Sequence, residues 1–182
     1  MKKVIFLVLL VTSLNAIAQF GFKKWYLSTG ITGKYMTAPK YTGYDFNLTF
    51  IPRYNFVEIN KESTLSIEAR PQIGIGTRDW YIYREYDETF PTRFSYGIPV
   101  LINYNWGLNS EENSMFMLGF YLGGGYGISN VISNEPPYDP IHGFIIDAGV
   151  HIDSSPISHM GLMYTIGNDG SRVYSFGFYY DF

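Results

Sequence analysis

The sequence predicts an all-β fold, an eight-stranded antiparallel up-and-down barrel that crosses a membrane and is preceded by a signal peptide. Apolar and polar residues alternate along most of the chain, which is typical of strands. Aromatic residues make up 19% of the 182 residues and charged residues only 16%, against about 25% charged in soluble domains. After the first residues, no stretch approaches the roughly 18 consecutive apolar residues of a membrane-spanning helix.

The first 18 residues have the three parts of a secretory signal peptide. Two lysines follow Met1, residues 4–14 are mainly apolar, and residues 16–18 form a small-x-small cleavage site. Eleven helical residues rise about 16 Å, too little for a hydrocarbon core of about 30 Å. We therefore expect a signal peptide over residues 1–18 and a single barrel domain over residues 19–182.

Eight segments of the remaining chain repeat with a period of two. The clearest is 44–56, where one face is mainly aromatic and aliphatic and the other mainly polar. Each segment has about the length of a tilted membrane-spanning strand. The predicted strands cover residues 25–35, 44–56, 64–78, 94–106, 115–128, 144–152, 159–167 and 172–182.

The connections between these strands alternate in length, which is typical of outer-membrane barrels. If the N-terminus is periplasmic, residues 57–63, 107–114 and 153–158 form periplasmic turns. Residues 36–43, 79–93, 129–143 and 168–171 then form outer loops, and the even strand number returns the C-terminus to the periplasm.

The two long loops, 79–93 and 129–143, are the predicted sites for an extracellular ligand or protein. Aromatic side chains stand among charges of both signs in the first loop, as at many contact surfaces. The alternative is an aromatic rim with ordinary solvated loops. The candidate contact residues are Trp80, Tyr81, Tyr83, Arg84, Tyr86 and Tyr138.

The apolar face is predicted to contact lipid. A soluble ligand-carrying barrel would alternate too, with the apolar face inward and a charged face toward water. Here the polar face is mostly Gly, Ser, Thr and Asn, which suits a crowded interior. Three prolines lie inside predicted strands, where each gives up a ladder hydrogen bond. We expect bulges or register breaks at some of Pro52, Pro71 and Pro99, with Pro71 nearest mid-strand.

Several charged residues fall on the predicted inner face. They are interpreted either as an ion path or gate, or as a network of paired charges that fills an interior about wide enough for side chains alone. The narrow interior favours the network, with Glu68 paired to Arg70 or Arg53, and Asp45 to Lys34. The predicted network is Lys34, Asp45, Arg53, Glu68, Arg70, Arg78, Asp147 and His151, and Asp181 also points inward.

Catalysis, metals and nucleic acid are not indicated. The spacing of the three histidines brings no Ser/His/acid set together. The absence of cysteine excludes thiolate metal sites, a Cys nucleophile and a lipoprotein anchor. We therefore expect no enzyme activity, cofactor or metal. Removing residues 1–18 lowers the basic count from 13 to 11 against 16 acids, so the net charge falls from −3 to −5, which argues against nucleic acid.

The last residues, 174–182, alternate aromatic side chains and end in Phe182. This segment resembles the C-terminal signal of outer-membrane proteins, and the whole chain resembles the small OmpA/OmpX-like barrels and the barrel families of Bacteroidetes. The resemblance implies outer-membrane lipid as the surroundings and the barrel-assembly machinery as a partner that recognises Phe178, Tyr180 and Phe182. It implies a structural or surface-binding role. The alternatives are a narrow gated channel and a lipid A-modifying enzyme.

Overall fold

The computed structural model describes residues 25–38, 41–78, 92–107, 117–132, 140–152 and 158–182. These residues form nine antiparallel strands. They contain no helix that is long and apolar enough to cross a membrane. The strands are β1 (Trp25–Ala38), β2 (Tyr41–Asn60), β3 (Ser63–Ala69), β4 (Gln72–Arg78), β5 (Thr92–Gly107), β6 (Leu118–Ile132), β7 (Ile141–Ile152), β8 (His159–Gly167) and β9 (Arg172–Asp181).

The strands close into a ring with eight strand positions. Except for β3 and β4, strands that are consecutive in sequence pair with each other, and β1 pairs with both β2 and β9. Strands β3 and β4 lie end to end and share the same two neighbours, β2 and β5. They are the two halves of one broken strand, so the predicted eight-stranded, up-and-down barrel is confirmed.

The break between β3 and β4 lies at Arg70 and Pro71. The register does not change across it, because β2 continues from its pairing with β3 to its pairing with β4 without an extra residue. The Phe50 amide donates to the Pro71 carbonyl at 3.0 Å and the Arg70 amide to the Pro99 carbonyl at 2.8 Å. The ladder is interrupted at Pro71 because proline lacks an N–H, but the bulge or register break expected at the prolines is not found there.

Pro52 and Pro99 do not break their strands. Pro52 lies opposite Leu27 and Pro99 opposite Gly127, both in continuous registers. The register shifts of the β2–β3 pair lie nearer the turn, at Asn55/Val57 and Glu58/Asn60. Bulges therefore collect at the rim, as they often do in barrels.

Strand ends differ from the prediction at several connections. The predicted loop 129–143 is too long, because β6 runs to Ile132 and β7 begins at Ile141, and β6 begins at Leu118 and not at residue 115. The predicted turn 57–63 is wrong, because pairing continues to Asn60 opposite Ser63, with Lys61 and Glu62 between them. The Asn60 side chain accepts a hydrogen bond from the Glu62 amide at 2.8 Å, which stabilises a tight turn. The predicted loop 36–43 is also too long, since β1 and β2 pair as far as Ala38 and Tyr41.

The apolar side chains point out of the barrel. On β7 the side chains of Phe144 and Ile146 are 67% and 54% exposed, while those of Ile145 and Asp147 are 4% and 0% exposed. The soluble-carrier alternative requires the reverse orientation and is wrong. An outward apolar face around a closed ring is the surface that lipid requires.

Two belts of paired aromatic rings encircle the outer face, as expected at membrane interfaces. The belt near the chain's C-terminus contains Trp25–Tyr54, Trp106–Phe120 and Tyr180–Phe182, with ring centroids 4.9, 6.0 and 5.2 Å apart. The opposite belt contains Tyr35–Tyr44, Tyr164–Tyr174 and Tyr126–Phe144, at 4.9, 4.9 and 5.5 Å. We call the first end of the barrel the turn end and the second the loop end.

Candidate functional site

The lumen is filled in layers that can be followed along the inner face of β7. Ile141 lies at the loop end, followed by Ile145, Asp147 and finally His151 at the turn end, all buried. Along β7, the inward positions are therefore apolar toward the loop end and polar toward the turn end. The inner face was predicted to be mostly Gly, Ser, Thr and Asn, and the inward Ile141 and Ile145 were not predicted because residues 144–146 of β7 are apolar on both faces.

Arg70 lies at the centre of the polar half. Its guanidinium donates two hydrogen bonds to the Asp147 carboxylate, at 3.0 and 2.6 Å, and two to Glu68 Oε2, at 3.1 and 2.9 Å. Asn103 Nδ2 donates at 3.0 Å to Asp147 Oδ2, the oxygen that also accepts the 2.6 Å bond from Arg70. A guanidinium held by two buried carboxylates satisfies the planar geometry that arginine prefers.

Two buried tyrosines pack around this ion cluster. Arg70 Cζ lies 5.5 Å from the centre of the Tyr121 ring and 5.9 Å from that of Tyr179, which are cation–π distances. A side chain at Gly149 or Gly161 would overlap Tyr121. The inward glycines thus make room for the two tyrosine rings. Alternation places both tyrosines on the inner face, but this packing was not predicted from the sequence.

A second polar cluster lies at the turn end. His151 directly opposes His159 across the β7–β8 pair, and His159 opposes Tyr179 on β9. His159 Nδ1 lies 3.1 Å from Asp181 Oδ1, and Ser28 Oγ donates to the same Asp181 oxygen. Ser28 comes from β1, whereas Tyr179 and Asp181 come from β9. The cluster therefore crosses the seam between the first and last strands.

Arg53 connects the two polar clusters. Its Nη1 lies 3.4 Å from His151 Nε2, and its guanidinium packs 4.4 Å from the centre of the Tyr26 ring. Arg53 also pairs in register with Glu68 on β3. Of the predicted inner charges, the structure therefore brings Arg53, Glu68, Arg70, Asp147 and His151 into one continuous polar region.

Lys34 and Asp45 are buried and lie directly opposite each other in the β1–β2 register. They stand toward the loop end, apart from Arg70. The backbone of Arg78 pairs with Gly43, and its side chain lies outside the described residues. The candidate loop contacts all lie outside the described residues as well: Trp80, Tyr81, Tyr83, Arg84, Tyr86 and Tyr138.

Ser28, Asp181 and His159 meet in space although their sequence spacing did not indicate it. Their arrangement differs from that of a hydrolase, because the carboxylate stands between the other two groups. A nucleophilic serine needs a hydrogen bond to the imidazole, which in turn is oriented by the acid. Here the serine hydroxyl donates to the acid itself, so it is not activated by this histidine.

Two clusters of apolar side chains lie in the loop-side half of the lumen, among polar residues such as Lys34 and Asp45. One cluster joins Leu101, Ile145 and Met163, and a second at the loop end joins Met36, Ile141 and Val173. Between them, beside Lys34 and Gln72, lies a cavity of about 20 Å³, room for about one water molecule.

The hairpin between β8 and β9 has an ordered polar turn at the loop end. Asp169 accepts hydrogen bonds from the Ser171 hydroxyl at 2.7 Å and the Ser171 amide at 2.9 Å. The hydrogen bond from the Ser171 hydroxyl is the main cause that lowers the pKa of Asp169 below its usual 3.8. Gly170 takes a positive φ of 85°, which glycine adopts without strain. The predicted connection 168–171 is confirmed.

The last strand carries the predicted C-terminal signal. Phe178 and Tyr180 point outward, and the Phe176 and Phe178 rings meet edge to face at 4.7 Å. The Phe182 amide donates to the Leu27 carbonyl at 2.9 Å, while its ring is largely exposed. The terminal residue thus extends the seam pairing and presents an aromatic ring at the rim.

No protein-family model matches the sequence, and neither does any curated protein sequence. Solved structures do match. Ail, the attachment invasion locus protein of Yersinia pestis, is 16% identical with a TM-score of 0.51, over 88% of this chain and 99% of Ail. Ail in complex with the heparin analogue sucrose octasulfate matches equally well, over 87% and 98%. Neisserial surface protein A (NspA) is 11% identical with a TM-score of 0.55, over 86% and 95%. The chain therefore has the fold of the small eight-stranded outer-membrane barrels to which Ail and NspA belong.

Proposed function

We propose that the protein is an integral outer-membrane barrel with a structural or cell-surface binding role and without catalysis. The observation that carries this proposal is the combination of an outward apolar face with a lumen filled by ion-paired and apolar layers. Such a barrel anchors itself in lipid and leaves its loops as the surface available to partners. Residues 1–18 would direct export, and both termini would be periplasmic.

Fractionation and gel mobility test the barrel and its location. We expect the protein in the outer-membrane fraction, with faster migration on gels before heating than after it, because a closed barrel resists detergent unfolding. Recovery in the soluble periplasmic fraction, or identical migration before and after heating, would contradict the proposal.

The cysteine-free sequence allows a direct test of which connections face outward. Tyr83→Cys, in loop 79–93, should react with a membrane-impermeant maleimide on intact cells. Asn109→Cys, in the opposite connection 107–114, is the matched control and should react only after the outer membrane is opened. Labelling with the reverse pattern would invert the proposed orientation.

Loops 79–93 and 129–143 are the proposed contact surface. Ail is an attachment invasion locus protein and NspA a surface protein, and one Ail structure holds a heparin analogue. These neighbours support a surface role for the same fold. Retention on immobilised heparin can be compared between the unaltered protein and a variant with residues 80–86 replaced by Gly and Ser. Equal retention of the two proteins would remove loop 79–93 as the contact surface for this class of ligand.

A narrow gated channel is the first alternative. The ion cluster around Arg70 and the apolar layer of Met36, Ile141 and Val173 lie in series along the lumen. We therefore expect no single-channel conductance in planar bilayers, and reproducible conductance steps would favour the channel.

The second alternative is a lipid A-modifying enzyme. Such an enzyme predicts that deletion of the gene changes the lipid A mass spectrum, whereas we expect an unchanged spectrum.

A further inference from the structure

We propose that His151, His159 and Asp181 form a site for a divalent transition-metal ion at the turn end of the lumen. One ligand atom from each of the three side chains lies within 4.8 Å of the others. Two imidazoles and one carboxylate are a common ligand set for Zn²⁺, with a fourth position left for water.

The spacing of the ligand atoms suits such an ion. His159 Nδ1 and Asp181 Oδ1 are 3.1 Å apart, close to the roughly 3.4 Å that separates two ligands of a tetrahedral ion with bonds of about 2.0–2.1 Å. The two imidazole rings have centroids 4.9 Å apart.

The site is held by rigid elements and supporting contacts. Ser28 Oγ donates to the Asp181 carboxylate, and the His159 ring stacks on Tyr179 with centroids 4.6 Å apart. Contacts of this kind orient metal ligands before the ion arrives. His151 Nδ1 is buried and, within the described residues, has no hydrogen-bond partner, so an ion would supply the partner that this atom lacks.

The ion would enter from the turn end. The Asp181 side chain is 18% exposed there, while His159 is 5% exposed and lies just inside. The apolar clusters lie in the other half of the lumen. A bound ion would join β7, β8 and β9 beside the seam with β1, and would therefore stabilise barrel closure.

Arg53 limits the affinity of this site. Its guanidinium lies 3.4 Å from His151 Nε2, and a fixed positive charge at that distance repels a divalent cation. Removing the Arg53 charge should therefore tighten metal binding, which a purely structural cluster of histidines would not predict.

The test uses the untagged protein refolded in detergent micelles and titrated with Zn²⁺ by calorimetry. We expect one Zn²⁺ per chain. We also expect Zn²⁺ to raise the temperature at which the faster-migrating, folded form disappears from the gel. His159→Gln and Asp181→Asn should weaken binding at least about tenfold, since even supporting residues contribute about 10–100-fold. Arg53→Gln should bind more tightly than the unaltered protein.

His142→Gln is the matched control. It removes the third histidine of the chain, which is exposed on β7 near the loop end, and should leave the affinity unchanged. Zn²⁺ binding that persists in His159→Gln, or that is lost in His142→Gln, would overturn the proposal. Each variant is first checked for the heat-dependent mobility shift.

A measurement on the unaltered protein keeps the proposal testable if a variant does not fold. Cu²⁺ replaces Zn²⁺ in sites of this kind, and its electron paramagnetic resonance spectrum reports the number of imidazole nitrogens bound. Two nitrogens are expected. One nitrogen or none, or the absence of stoichiometric binding, would refute the site.

Discussion

Arg70 is the residue whose removal should disturb the lumen most. It is buried and compensates two buried carboxylates, Glu68 and Asp147. Arg70→Met would leave both carboxylates without their cation, and breaking a buried ion pair in this way costs about 3–5 kcal/mol. We expect a loss of this size in the free energy of unfolding, measured by tryptophan fluorescence during urea unfolding in lipid vesicles.

Two comparisons separate the ion cluster from a general effect of losing arginine. Arg172→Met removes the same charge from an exposed position and should change stability by no more than about 0.5 kcal/mol. Combining Arg70→Met with Glu68→Gln and Asp147→Asn leaves no buried charge in the cluster and should recover part of the loss. If the triple variant were less stable than Arg70→Met, the loss in Arg70→Met could not be attributed to unpaired carboxylates.

Asp169 gives a residue-scale prediction of pH dependence. The Ser171 hydroxyl lowers the pKa of Asp169, so Ser171→Ala should raise that pKa toward 3.8, as followed by NMR titration. Because the folded-state pKa is the depressed one, the contribution of this hydrogen bond to stability is present above pH 3.8 and is lost as the pH falls through the folded pKa. Asp169 is exposed, so the contribution should stay below about 1 kcal/mol. An unchanged pKa in Ser171→Ala would assign the shift to another cause.

At the scale of the strand, alternation predicted most of what the structure has. It assigned the outward and inward faces, because a period of two allows only two faces. It could not place the turn at Lys61 and Glu62, where the bulges of β2 interrupt the alternation. Alternation also did not predict the contact between His151 and His159, because that contact comes from strand pairing and not from spacing along the chain.

The inward glycines are an element-scale feature with a testable consequence. At Gly149 a methyl group would overlap the Met160 carbonyl and the Tyr121 ring, whereas at Gly33 the nearest atoms are 4.0 Å away. Gly149→Ala should therefore destabilise the barrel by about 1–3 kcal/mol, as overpacking does. Gly33 lies on the outer face of β1, where a methyl group has room, so Gly33→Ala should be nearly neutral. Equal effects of the two substitutions on urea unfolding would mean that strand propensity, and not the space around Tyr121, decides.

At the scale of the whole molecule, composition and even strand number were enough to predict the closed barrel and its lipid face. The candidate site could be predicted only in part. The inner charges follow from alternation, but the bidentate contact of Arg70 with Asp147 joins β7 to the break between β3 and β4. Such cross-lumen contacts depend on barrel diameter and on stagger between strands, which no local pattern contains.

The C-terminal Phe182 separates the stability of the barrel from its assembly in the cell. Its ring is largely exposed and meets Tyr180 edge to face, and its backbone amide pairs with Leu27. Phe182→Ala keeps that amide and removes only the ring. If the ring is recognised by the assembly machinery, the variant should refold in detergent as the unaltered protein does and show the same mobility shift. In cells, however, the amount of heat-modifiable protein in the outer membrane should fall several-fold. Phe144→Ala removes an outward phenylalanine of similar exposure from the internal strand β7 and should assemble at a normal level. A parallel fall in refolding and in cellular assembly would make Phe182 a structural residue of the seam, because a recognition signal acts only when the machinery is present.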